Sequence, residues 1–406
     1  MRLIVLCPHF EPDIAPTGVV MTRIVRELAA RGHELHVVTS LPWYRKHRVE
    51  SGWTGALWRV EKTAWGSISR VQPFAARDKK SLLRRALSFV LFSCFVGLRA
   101  LLVGGVRRRF DGVLAMSPPL TLGLIGWHTR LFRGGKLVFN IQDVFPDAAV
   151  ETGAIRNRRV IAAARWLERV SYQRSDSVVL LSDDLANNIQ TKLDQKHHRR
   201  VKVIPNFVDT KAIVPMSRLT NYRSELGIDD SVVVMYAGNV GFSQSLELMI
   251  EAAKALPRIT FVINGEGAAR SSLQSMAEGL TNIKFGDYQD PERLAEVLAT
   301  GDLHVVPLRR GLGAVSVPSK TYSILAAGRP ILAAIDPDTE VPRILATAKA
   351  GICVEPDDPR AFVSAVSKMV GDLRSLQEMG DRGRVWVQGH ASAESVAQRY
   401  EALYLR

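Results

Sequence analysis

Cysteine is scarce in this 406-residue chain: Cys7, Cys94 and Cys353 are widely separated and no two share a CxxC spacing. That pattern argues against a disulfide framework or a cysteine-ligated zinc site and points to free thiols in a reducing compartment. No His, Asp or Glu cluster has ligand spacing either. The one Asp-x-Asp, Asp336-Pro-Asp338, reads as an ordinary turn after an apolar run, so no metal and no cofactor are expected. A membrane-spanning stretch is also missing. The apolar run bracketed by arginines, residues 86–98, is 13 residues long, short of the roughly 20 that cross a bilayer. Met1-Arg-Leu-Ile-Val-Leu-Cys7 runs into Pro8, Glu11 and Asp13, the pattern of a first strand and its loop rather than a signal peptide. Helix-turn-helix, zinc-finger and RNA-recognition signatures are absent and the aromatics do not interleave with the basic runs, so nucleic acid is not an expected partner.

What the chain does have is size, an uneven charge and a repeated α/β alternation. Its length exceeds one ordinary core and predicts two domains. Lys and Arg outnumber Asp and Glu by 32 to 16 in residues 1–200, against 22 to 24 in residues 201–406. A positive field confined to one half suits an anionic surface. Residues 84–109 sharpen this: Arg84 and Arg85, then the apolar run, then Arg99 and Arg107 to Arg109. That arrangement fits a helix seated in the headgroup region of an anionic membrane. The competing reading is a core helix with a cationic rim.

Leu3–Cys7 is a continuous apolar run, as in a strand buried on both faces of a parallel sheet. A Pro- and Gly-bearing loop, a helix over Val19–Ala30 and a strand over Leu35–Thr39 complete a βαβ unit, with Gly18 at the helix start. The loop is not GxGxxG, so no dinucleotide site is read. Strands are predicted at Gly112–Met116, Lys136–Asn140 and Ser177–Ser182, with helices over Thr121–Phe132 and Arg159–Arg174. Asp143 follows a strand end, where open α/β sheets place ligands. Periodicity weakens over 210–228 and alternation then restarts: strands at Val232–Tyr236, Thr260–Ile263, Ile283–Phe285, Leu303–Val306 and Ile331–Ile335, with a helix over Ser243–Leu256. The boundaries expected are 1–205 and 206–390, with residues 391–406 a helix packing back on the first domain. Two Rossmann-like α/β domains with an interdomain cleft follow. In the second, Val317-Pro-Ser-Lys320 opens a short helix that ends at Gly328. Pro318 and Ser319 suit a helix start, Ser319 as a cap, and Ser319 and Lys320 with Arg309 and Arg310 upstream make a receptor for a phosphate anion.

The Gly18 loop, Gly32-His33, Asn140-Ile-Gln-Asp143, Ile204-Pro-Asn-Phe-Val-Asp209, Tyr236-Ala-Gly-Asn-Val-Gly241, Asn264-Gly-Glu-Gly267 and Val317–Pro330 occur together in order. In these motifs the chain resembles the GT-B glycosyltransferases of family 4, most nearly the fucosyl and N-acetylfucosaminyl-type transferases of bacterial capsule, colanic acid and O-antigen. The resemblance implies a retaining transfer from a UDP- or GDP-linked sugar to a lipid-linked acceptor, by a cytoplasmic enzyme held at the inner face of the plasma membrane. It implies donor contacts at Gly18, Asn239, Gly241, Gly265, Glu266, Tyr288, Arg309, Arg310, Ser319 and Lys320, with Lys320, Ser319 and Arg310 on the diphosphate. Asp143 is the implied base or hydrogen-bond acceptor and Asn140 a second catalytic candidate. Members often carry histidine where Asn140 stands and glutamate where Ser323 stands. The alternatives are a non-hydrolysing sugar-nucleotide epimerase and a non-catalytic nucleotide-sugar-binding protein.

Overall fold

The computed structural model describes residues 1–13, 15–44, 48–74, 82–142, 144–147, 157–313 and 318–405. The chain divides into two units, Met1–Pro205 with Val396–Arg406, and Asn206–Ser395.

The first unit is built on an eight-stranded sheet: β1 (Arg2–Leu6), β2 (Glu34–Ser40), β3 (Trp58–Thr63), β4 (Gly66–Val71), β5 (Gly112–Ser117), β6 (Lys136–Ile141), β7 (Ser177–Leu180) and β8 (Val201–Val203). Their order is β3-β4-β2-β1-β5-β6-β7-β8. All neighbours are parallel except the β3–β4 hairpin. The apolar run at the start of the chain lands in the middle, where Leu3 to Leu6 are fully buried. The β3–β4 hairpin was not among the sequence expectations. Trp58 and Val60 are exposed on the sheet edge, and β4, though buried from Ile68 to Val71, is largely polar, so neither strand shows an apolar run. The helices are α1 (Pro16–Ala30), α2 (Leu82–Leu102), α3 (Thr121–Arg133), α4 (Arg158–Arg174) and α5 (Asp183–Lys192). Among the described residues no helix is long and apolar enough to cross a membrane.

One buried arginine fixes how α2 ends. The Arg133 side chain, at the last residue of α3, donates to the carbonyl oxygens of Val103 and Gly105 (each 2.8 Å), Arg108 (3.1 Å), Ala100 (3.3 Å) and Leu101. Those are the orphan carbonyls of a helix C-terminus and the turn beyond it, and a cation is the favourable partner for them.

The second unit carries β9 (Val233–Ala237), β10 (Thr260–Asn264), β11 (Ile283–Gly286), β12 (Leu303–Pro307), β13 (Ile331–Ala334) and β14 (Gly351–Val354), all parallel, in the order β11-β10-β9-β12-β13-β14. Strand β14 is half-exposed at the edge of the sheet, with an apolar run of only Ile352, Cys353 and Val354. Around the sheet lie α6 (Asn221–Glu225), α7 (Glu247–Ala255), α8 (Arg270–Met276), α9 (Leu294–Thr300), α10 (Lys320–Ala326), α11 (Glu340–Ala348), α12 (Pro359–Val370) and α13 (Leu373–His390). The last helix, α14 (Ala393–Leu405), belongs to the first unit from Val396 onward. Tyr400 hydroxyl meets the Asn140 amide. Glu401 pairs with Arg31 and with His33 Nε2 (3.0 Å).

Arg133→Met is expected to lower the unfolding free energy by roughly 3 kcal/mol, because the α2 carbonyls lose a buried charged donor. A urea midpoint equal to that of the parent protein would contradict this capping role.

Candidate active site

In the second unit the chain builds β9, β10 and β11 outward in one direction, then returns to lay β12 on the other side of β9. The space outside the carboxyl ends of strands at such a reversal is the common ligand position of open α/β sheets. Two segments flank it, residues 238–245 after β9 and residues 308–313 after β12, with Pro318 and Ser319 leading into α10; residues 314–317, with Val317 at the head of the predicted phosphate stretch, lie outside the described residues.

The first loop is zipped to the β10 loop by its backbone. Gly238 N–H donates to Asn264 O (2.9 Å), Val240 N–H to Glu266 O (2.8 Å) and Ala269 N–H to Val240 O (3.0 Å). Gly265 has φ +132°, and a Cβ there would stand 2.0 Å from the Gly238 carbonyl oxygen, so only glycine fits. Arg270 ties the neighbouring strand ends, donating to Gly265 O (2.6 Å) and Gly286 O (3.1 Å) and pairing with Glu266 (2.8 Å) and Asp287 (2.6 Å). Gly241 N–H donates to Gln244 Oε1 (3.0 Å), and the Asn239 amide nitrogen sits where a Gly241 side chain would begin.

The second loop is anchored by carboxylates. Asp336 accepts from Gly311 N–H (2.8 Å) and Gly313 N–H (2.9 Å). Asp357 accepts from Arg310 N–H (3.0 Å) and from the Ser245 hydroxyl. Burial would raise the Asp357 carboxyl, but the Arg310 N–H, Ser245 and the two arginines outweigh it and hold it below its ordinary value. Arg309 is committed to the structure, pairing with Glu247 (2.7 Å) and donating to Phe242 O (2.7 Å). Arg310 is exposed beside Glu355 (3.1 Å). Ser319 precedes α10 in helical conformation (φ −59°, ψ −24°) and makes no side-chain capping bond. The expected cap is therefore not formed, because an N-cap side chain reaches the helix N–H groups from extended backbone. Its side chain is exposed instead.

Lys320 lies at the centre. Its Nζ sits 3.8 Å from the centroid of the Tyr236 ring and donates to the Tyr236 hydroxyl at 2.5 Å. That hydroxyl in turn donates to Asn239 O at 2.5 Å. Among the described residues no carboxylate pairs with Lys320, and burial brings its ammonium down to about 7. Gly238 leaves the room: a Cβ there would lie 2.8 Å from Lys320 Nζ. Tyr288, 55% exposed, stands close enough to act on the Tyr236 phenol electrostatically. Its own phenol is raised by burial and then by Glu266. So Asn239, Gly241, Gly265, Glu266, Tyr288, Arg309, Arg310, Ser319 and Lys320 all gather at this strand edge.

The remaining predicted residues sit in the first unit. Gly18 is buried against the preceding loop, where a Cβ would meet His9 Cβ at 2.8 Å. Asn140 is fully buried, its nitrogen on Tyr400 and its oxygen accepting from Gln142 (2.7 Å). It anchors α14, and no free edge is left for a substrate. Asp143 lies outside the described residues. Sequence reasoning missed His9 and Asp13, which follow β1 at the reversal of the first sheet, between β1 and β5. His9 Nδ1 and Asp13 Oδ2 are 2.7 Å apart, and Asp13 is 3% exposed. The carboxylate oxygen accepts in this pair and Nδ1 donates. Trp43 stacks on the imidazole at 5.5 Å and Tyr44 meets it edge-on. The His-x3-Asp spacing in the first loop was the available signal. Among the described residues no group of three or more His, Cys, Asp or Glu could hold a metal ion.

Two family models match the chain, "Glycosyl transferases group 1" over residues 231–372 and "Glycosyl transferase 4-like domain" over residues 17–206. The chain belongs to the group 1 glycosyltransferases. The epimerase and non-catalytic readings give way to this. The chain is 28% identical over 382 residues to WcaI of Escherichia coli strain K12, by name a colanic acid biosynthesis glycosyl transferase, covering 90% of this chain and 91% of the relative. WbjE of Pseudomonas aeruginosa, named as a glycosyltransferase, is 28% identical over 319 residues, covering 75% and 76%. Among solved structures, Thermosynechococcus elongatus sucrose-phosphate synthase superposes with a TM-score of 0.73 at 16% identity, covering 100% of this chain and 98% of that one. Anabaena Alr3699/HepE in complex with UDP-glucose gives 0.66 at 13%, covering all of both chains. The fold of this glycosyltransferase is GT-B.

With the lysine methylated by a carbon-13 label, NMR is expected to show one resonance titrating near pH 7, absent from Lys320→Met, while exposed lysines titrate near their ordinary value, about 10.4. A Lys320 resonance still moving only above pH 10 would contradict its burial.

Proposed function

We propose that this enzyme moves a sugar, with retention at the anomeric carbon, from a UDP- or GDP-linked donor to a lipid-linked acceptor in bacterial cell-surface polysaccharide or glycolipid synthesis. The observation that carries it is the Lys320 ammonium, seated on Tyr236 at the reversal of the second sheet with no carboxylate partner among the described residues. A departing nucleoside diphosphate gains negative charge, and a fixed cation in a poorly hydrated site stabilises that charge without a metal. Arg310 and the exposed Ser319 hydroxyl stand beside the same place and complete the diphosphate contacts. Gly241 and Asn239 line the donor side, and Tyr288 with Glu266 flanks the nucleoside. The names of the relatives, colanic acid synthesis above all, and the UDP-glucose held by the Anabaena neighbour support the substrate classes.

The acceptor hydroxyl belongs with the first unit. Asp143 remains the proposed base, and His9, held at Nδ1 by Asp13, is a second group able to take that proton. Same-face attack accounts for retention without a covalent intermediate. The enzyme works from the cytoplasmic side as a peripheral membrane protein, contacting anionic lipid through residues 84–109.

Lys320→Ala is expected to lower kcat/KM by about 100- to 1,000-fold with the circular dichroism spectrum unchanged; transfer at the parent rate sinks the diphosphate assignment. Binding also depends on pH with a defined sign. The empty-site lysine loses its proton above about 7, and an anion restores it, so nucleoside diphosphate affinity falls as pH rises, about tenfold per unit between 7 and 9. Calorimetry reads this as proton uptake on binding at pH 8, absent from Lys320→Met. A screen of UDP- and GDP-sugars against a membrane lipid extract, with the product anomer read by NMR, tests donor, acceptor and retention together.

A further inference from the structure

Helix α2 lacks the polar side that a surface helix shows. Its inner stripe, Phe92, Val96 and Ala100, is buried in the core of the first unit. Its outer stripe, Leu91, Cys94, Leu98 and Leu102, is exposed and equally apolar. A helix apolar all round is in a settled environment only when its outer side is covered as well.

The outer stripe does not stand alone. Helix α2 packs on α3 and α3 on α4, and all three feed one core cluster. They form one layer on one face of the sheet, with their outer sides turned the same way. Arg133 ties the end of α3 to the turn after α2. This sets Leu131 (58% exposed) and Phe132 (66%) beside Val106 (66%), next to the exposed Arg107, Arg108 and Arg109. Helix α4 adds Trp166, 63% exposed, among the exposed Arg158, Arg159, Arg165 and Arg169. The three helices carry ten arginines and one carboxylate, Glu168, which is buried and bonded to Lys192 (3.0 Å). No acidic side chain of these helices reaches the outer surface. Aromatic and aliphatic side chains interleaved with guanidinium groups match a phospholipid interface: the apolar groups enter the acyl boundary while the arginines sit level with the phosphates.

We infer that the outer face of the whole α2–α3–α4 layer docks on an anionic lipid bilayer, with Trp166 and Phe132 entering it, so that the contact is not confined to residues 84–109. This rests on the proposal of a lipid-linked acceptor. The full-length protein is sedimented with vesicles of phosphatidylcholine alone or mixed with phosphatidylglycerol. Binding to the mixed vesicles, weakened by salt, is expected. Trp166→Glu, Phe132→Glu and the pair Arg165→Gln with Arg169→Gln each lower the partition constant by about tenfold. Val385→Glu, at a site 71% exposed in the other unit, leaves it unchanged. UDP and GDP binding in solution is measured for every variant, so failure of the donor site is read separately from failure of docking. Unchanged binding by the Trp166 and Arg165/Arg169 variants overturns the three-helix face. So does equal binding to neutral vesicles, or a dimer in solution that those substitutions dissociate.

Discussion

A lysine ammonium partly buried over a phenol ring, with no carboxylate beside it among the described residues, is a charge that the fold around it leaves unneutralised. Burying a cation without a partner is unfavourable, and the group responds by giving up its proton more readily. The arrangement becomes favourable when an anion arrives, since the anion restores the proton and supplies the missing counter-charge. Much of the second unit's local structure follows from making room for that group. Gly238 has no side chain because Lys320 occupies the space, and Gly265 has none because the Gly238 carbonyl does.

The arginines nearby are used in the opposite way. Arg309 and Arg270 are locked to carboxylates and carbonyls, and Asp336 and Asp357 hold backbone N–H groups. These bonds spend the neighbouring charges on keeping two loops in place before any ligand arrives. Preorganisation of this kind lets a site stabilise developing charge without rearranging at the moment of reaction. Anchored backbone around one cation without a carboxylate partner among the described residues is a division of labour between positioning and electrostatics.

The parallel strands were legible because strands buried on both faces read as unbroken apolar runs, as Leu3–Cys7 and Ile331–Ile335 do. Trp58–Thr63 at a sheet edge and Gly66–Val71 beside it mix polar and apolar residues, and Gly351–Val354 is only four residues long, so none of the three shows that signature. The residues around Lys320 were legible through their motifs, but their roles were less so. That Ser319 does not cap, that Arg309 is structural, and that Asn140 is consumed by Tyr400 depend on backbone dihedrals and on partners up to 260 residues away. Arg133 is the clearest case. In sequence it is one more cation in the last turn of a helix, and in the fold it closes a different helix.

The stitching of α14 into the first unit has a consequence for how the protein is made. Tyr400 binds Asn140 on the first sheet, Glu401 pairs with Arg31, and Tyr404 lies 2.2 Å from where a Cβ on Gly112 would stand. A ribosome delivers those residues only after all of residues 206–395. Domains generally fold in the order of synthesis, yet here the first to emerge is the last to be completed. The nascent N-terminal unit therefore lacks the partners of Asn140 and Arg31 until synthesis ends, and that interval is when it is least complete.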